Sequence, residues 1–104
     1  MLNSKGEYEN YIYSLPVRYS SVDFSTLVVK PFGATLGKLE GELHFKHGII
    51  LRVLEMLDFA KGRIVVYGYE VYRGTDKLYW YDSMEHPGEE HLAQSFPHHK
   101  HIPP

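Results

Sequence analysis

Residues 38–45 read Lys-Leu-Glu-Gly-Glu-Leu-His-Phe, and they alternate strictly. Leu39, Gly41, Leu43 and Phe45 fall on one side, and Lys38, Glu40, Glu42 and His44 on the other. Successive side chains of a strand point to opposite faces, so this is a strand with one buried and one wet face. Lys46-His47-Gly48 supplies a turn, with the glycine available for positive φ. The chain then returns over residues 49–59. A three-residue loop sets Leu43 opposite Leu51 and Glu42 opposite Arg52, so apolar meets apolar and charge meets counter-charge. Ile50, Leu54 and Leu57 also share a helical spacing, but the preceding turn favours a strand.

The pattern continues downstream. Lys61-Gly62 forms a second turn, and residues 63–73 are dominated by β-branched and aromatic side chains, which pack well on a pleated surface. Gly74-Thr75-Asp76 turns the chain again, and Lys-Leu-Tyr-Trp-Tyr-Asp at 77–82 returns it. Together these make an antiparallel meander of four strands. Upstream, residues 11–19 and 22–29 are both β-rich, with Pro16 weakening the first as a central strand. One or two further strands are expected there, followed by a loop at Pro31-Phe32-Gly33. The expected fold is mainly β or α+β, a single domain over 1–104 with a C-terminal segment at 83–104.

Composition excludes several function classes. The net charge of −2 with neutral histidines provides no global basic field for a nucleic-acid duplex, although a local patch suffices for a few phosphates. With no cysteine, disulfide scaffolds, thiolate zinc sites and thiol catalysis are ruled out. The first ten residues show no signal-peptide core, and no window approaches the roughly 18 apolar residues of a membrane span. A cytoplasmic location without membrane association is the expectation. Long strands leave an edge to manage, so a homodimer through edges or sheet faces is also expected as an option.

After Asp82 the character changes. Five of the seven histidines (His86, His91, His98, His99 and His101) and four of the six prolines lie in residues 83–104. Pro87-Gly88-Glu89-Glu90 suits the first turn of a short helix that cannot pass Pro97. The remainder is either an ordered loop laid on the sheet or a free tail.

Three readings of these histidines stand. The first is metal-independent acid–base chemistry. Imidazole titrates near neutrality, and RNA cleavage needs a base, an acid and a cation for the phosphate. His98, His99, His101 and Lys100 supply those types, with His86, Tyr81 and Asp82 at the strand exit and tyrosines at 79 and 81 for hydroxyls or base stacking. The second is a divalent metal such as zinc. His99-Lys100-His101 is an H-x-H pair whose alternate residues share a direction, to be completed by His86 or by an acid such as Glu55, Glu70 or Asp82. The third is an inert solvated tail or an appended affinity tag, against which stand the interruption by Lys100 and the ending Ile-Pro-Pro. Two histidines outside this segment, His44 and His47, flank a turn and are expected in solvent. Glu55 interrupts the apolar series Ile49, Leu51, Val53, Leu57 and Phe59, so it is expected to need a cation or histidine partner.

Tyr69-Glu70-Val71-Tyr72, Leu78-Tyr79-Trp80-Tyr81-Asp82, His86-Pro87 and Phe96-Pro97-His98-His99-Lys100-His101 together resemble the TumE family of toxin components from toxin–antitoxin systems. The resemblance covers about the C-terminal 60 residues, and Pro-His-His-Lys-His is its most specific part. Ser83 follows Asp82 where the family often has asparagine, and Glu85-His86-Pro87 carries one histidine fewer than the family's His-His-Pro. The resemblance implies a toxin neutralised by a cognate antitoxin, commonly a helix-turn-helix protein. RNA as the target is an inference from the residue types, and a non-enzymatic protein whose histidines hold a metal or a partner chain is the alternative.

Overall fold

The meander is present with the anticipated register. In the computed structural model, which describes residues 4–83 and the strand at 99–101, β3 (Leu36–Phe45) and β4 (Ile49–Asp58) pair antiparallel. Glu42 lies opposite Arg52, and Leu43 opposite Leu51. The hairpin turn places two residues in left-handed backbone, His47 at φ 66° and Gly48 at φ 77°. β5 (Arg63–Arg73) and β6 (Asp76–Asp82) continue the meander, and β7 (His99–His101) pairs with β6.

On the other side, β1 (Val22–Ser25) and β2 (Val28–Phe32) both pair with β3, end to end along one edge. Seven strands thus make a sheet six strands wide, in the order β1/β2-β3-β4-β5-β6-β7. The β-rich stretch 22–29 is therefore two strands, divided at Thr26-Leu27. Gly41 explains the division: it sits at φ 137°, and a Cβ there would meet the Thr26 carbonyl oxygen at 2.5 Å. Only glycine lets the edge chain cross this closely. The Thr26 amide and hydroxyl then bond the Glu42 backbone at 2.8 and 2.9 Å. Pro31 and Phe32 belong to β2 rather than to a loop, and the turn begins at Gly33. Proline is tolerated there because β2 is an edge strand.

Residues 11–19 are not a strand. They lie largely within helix α1 (Lys5–Arg18), which packs on one face of the sheet. Their aromatic and β-branched content suits a strand, but local capping and tertiary burial override that preference. Ser4 is the N-cap, its hydroxyl accepting from the Glu7 amide at 3.2 Å, within a Ser-x-x-Glu start signal. Tyr8, Ile12 and Leu15 follow at helical spacing and turn inward, leaving Val17 90% exposed. Pro16 falls in the last turn, where it lacks the N–H that would bond the Ile12 carbonyl, and the helix ends two residues later at Arg18. The core under α1 comprises Ile12, Leu15, Val22, Leu27, Val29, Leu39, Leu43, Val53 and Leu57, with Leu39 and Leu57 each 1% exposed.

The short helix expected after Pro87 lies outside the described residues. No described helix is long and apolar enough to cross a membrane.

Candidate functional site

Antiparallel pairing brings residues from distant parts of the chain into straight rows across the sheet. One row reads Glu42, Arg52, Glu70, Trp80 and position 101. The next, two residues along, reads Glu40, Leu54, Gly68, Asp82 and position 99. Residues directly opposite in such a ladder share a face, so both rows lie on the face away from α1. The intervening row, Gly41, Val53, Tyr69, Tyr81 and position 100, belongs to the helix-covered face.

This register sorts the candidate residues. Positions 99 and 101 join Asp82 and Trp80 on the open face. Position 100 joins Tyr81 on the other face, at the end that also carries the stacked rings of Tyr67 and Tyr69 (5.0 Å) and the edge-on pair Tyr79–Tyr81 (5.9 Å). His86, His91 and His98 lie outside the described residues. Glu55 and Asp82 occupy opposite faces, so Glu55 is not brought to the ladder positions of 99 and 101. Among the described residues, no three His, Asp or Glu side chains lie close enough together to hold a metal ion.

The open face carries a chain of ion pairs. Arg52 bridges Glu42 at 3.2 Å and Glu70 at 3.6 Å, and Lys77 meets Glu70 at 2.6 Å while sitting 4.1 Å from the Trp80 ring centroid. Glu40 takes Lys30 at 2.7 Å and Lys38 at 3.2 Å. His44 bonds Glu42 at 2.9 Å and stacks on Phe24 at 4.2 Å, so it is half-buried rather than a solvent residue beside the turn. His44 first, with Arg52 assisting, holds the Glu42 carboxyl below the usual carboxylate range over the opposing effect of burial. Over Gly68 and Leu54 this face sinks into a depression of about 650 Å³, walled by Arg52, Glu70 and Trp80.

The covered face has a different polar centre. Glu55 is 6% exposed, and its two carboxylate oxygens accept hydrogen bonds from the hydroxyls of Tyr8 on α1 and Tyr69 on β5. The expectation of a cation or histidine partner is therefore corrected: two phenols satisfy the carboxylate while keeping the surroundings uncharged. Burial and then the bond to Glu55 raise the pKa of both tyrosines far above the ordinary phenol value. Sequence reasoning singled out Glu55 but missed Tyr8, whose signal was its place one turn after the Ser4-x-x-Glu7 start.

One helix laid over half of a meander, with a histidine-bearing strand at the far edge, defines a small helix-on-sheet protein. The family model described as Toxin TumE matches residues 12–104, and the chain belongs to that family. It is thus a toxin component of a toxin–antitoxin system, with an antitoxin as its partner. The match begins inside α1, well upstream of the C-terminal 60 residues that carry the visible resemblance. No curated protein and no solved structure matches the chain.

Proposed function

We propose that this toxin is a metal-independent ribonuclease acting in the cytoplasm, with the histidines of β7 and its approach as acid and base. The observation that carries the reading is the pairing of β7 with β6, which seats positions 99 and 101 on one face of the sheet beside Asp82 and Trp80. One imidazole takes the proton of an RNA 2′-hydroxyl, and the 2′-oxygen attacks phosphorus. A second, protonated imidazole gives its proton to the departing 5′-oxygen, leaving a 2′,3′-cyclic phosphate and a 5′-hydroxyl. The base and the acid come from His98, His99 and His101, with His86 as a further candidate. Lys100 steadies the phosphate, and Tyr81 and Asp82 orient the edge. The antitoxin is a helix-turn-helix protein encoded nearby.

The test is toxicity on expression without the antitoxin, paired with cleavage of RNA by purified protein in a chelator. Alanine at His98, His99 or His101 is expected to abolish both while the melting temperature is kept. Full toxicity in all three variants sinks the reading.

A second reading is supported by the shared face of positions 99 and 101 with Asp82: two alternate histidines and a carboxylate are a divalent-metal donor set. On that reading zinc raises the melting temperature of untagged protein, and His99→Ala removes the rise.

A further inference from the structure

The geometry points to the depression over Gly68 as a guanine-binding pocket, which holds one unpaired base of an RNA next to β7. This deepens the ribonuclease reading and rests on it for its biological sense, but the binding itself is separable from cleavage.

Three features carry the inference. The first is room. Gly68 sits mid-strand between Leu54 and Asp82, and a Cβ there would meet nothing within 4 Å. Glycine in a strand interior weakens it unless something approaches closely. The resulting hollow of about 650 Å³ is within the ordinary range of small-ligand sites.

The second is an apolar slot for a flat ring. Leu54 forms the floor and Trp80 a wall, and both belong to the two rows that flank the hollow. Aromatic walls hold unpaired bases without needing a duplex.

The third is the donor–acceptor pattern. Arg52 and Glu70 stand side by side, directly opposite each other in the ladder and 3.6 Å apart. They face each other as an ion pair, with Arg52 also on Glu42 and Lys77 on the second Glu70 oxygen, so a bound base edge would share these donors and acceptors with the existing pairs. Guanine offers the complement on one edge: the O6 acceptor beside the N1–H and N2–H donors. Adenine, cytosine and uracil present no such acceptor–donor–donor run. Carboxylates also line this hollow at Glu40, Glu42 and Asp82, so its centre repels phosphate while accepting from base N–H groups. Lys77, held on Glu70 and over Trp80, places positive charge at the rim, where the backbone of a bound nucleotide would leave.

Trp80 is the only tryptophan, so its fluorescence reports the pocket directly. The intact protein is titrated with the four ribonucleoside 5′-monophosphates and with short unpaired RNAs with and without guanine. Guanosine monophosphate is expected to quench Trp80 with an affinity about tenfold above that for cytidine or uridine monophosphate. Glu70→Gln, which exchanges one acceptor for a donor, removes the preference. Gly68→Leu, which fills the hollow, removes quenching; if it does not fold, Arg52→Gln serves, with loss of the guanine preference as its readout. Equal quenching by all four nucleotides, none at millimolar guanosine monophosphate, or quenching that survives Gly68→Leu overturns the pocket. None of these outcomes touches the toxicity of the histidine variants, so failure of the pocket is distinct from failure of the ribonuclease reading.

Discussion

Leu39 and Glu40 are neighbours in β3, yet they belong to two different proteins in physical terms. Leu39 is almost wholly buried under α1, whereas Glu40 lies on the opposite face between Lys30 and Lys38. Among the described residues, the buried core under α1 is apolar except for one carboxylate, satisfied by two hydroxyls. The open face is built of charges that neutralise one another in rows, interrupted by the hollow at Gly68. The difference teaches where stability and function reside. Burial stabilises by removing apolar surface from water, and exposed ion pairs add little because water and salt screen them. The open face is therefore free to be spent on recognition at small cost to the fold.

The contrast breaks most visibly at the core. Leu39→Ala and Leu57→Ala should each destabilise by about 2–5 kcal/mol through lost transfer energy and the cavity left behind, read by chemical denaturation. Losses below about 1 kcal/mol would mean that α1 does not seal this face.

Glu55→Ala is the next largest, at about 3 kcal/mol, because it strands two phenols in the interior. Tyr8→Phe or Tyr69→Phe removes one donor and should cost about 1–2 kcal/mol each. The double variant should cost more than the sum, since it leaves the buried Glu55 carboxylate with neither donor. Additive costs would show that the two bonds are independent.

The same triad sets an alkaline limit. Tyr8 and Tyr69 have folded-state pKa values raised above the ordinary value of 10.0. The folded state therefore holds these protons more tightly than the unfolded chain. Stability is fully present below about pH 10 and falls as pH rises beyond it. Replacing both tyrosines with phenylalanine should flatten that decline in a denaturant titration run from pH 9 upward.

On the open face the effects shrink. Arg52→Ala should cost under about 1 kcal/mol, and Lys30→Ala less again, with both differences fading in high salt. Glu42 shifts in the opposite sense to the tyrosines: its pKa is lowered, first by His44. Its contribution is present above the ordinary carboxylate range and is lost as pH falls through its folded value. His44→Ala should make this acid-side loss smaller, measured as the slope of melting temperature between pH 5 and 2. A large acid-side change on removing His44 would put real stability on the open face and erase the contrast.

Legibility followed sequence distance. The β3–β4 hairpin could be read because alternation is local and its three-residue turn sets the register. Arg52 and Glu42 were paired on that ground alone. The same logic carried across β5 and β6 yields Glu70 and Trp80, but bulges shift the register near Met56/Leu57 and Val71/Tyr72 and make long extrapolation unreliable. Helix α1 was misread because Tyr11, Ile12, Tyr13 and Val17 favour strands one by one. Its Ser4 cap and the Tyr8, Ile12, Leu15 spacing were present in the chain but weaker than the composition. Glu55 was visible as an anomaly, while its partners, 47 and 14 residues away, were not.

By itself the sequence determined the meander, the wet and dry sides of its strands, and the concentration of histidines after Asp82. Each follows from a period of two residues or from residue chemistry. Which histidines share a face with Asp82, what satisfies Glu55, and where the hollow opens were decided only by tertiary structure. Those depend on strand register and on a helix docking across many residues, and a one-residue slip would send every side chain to the other face.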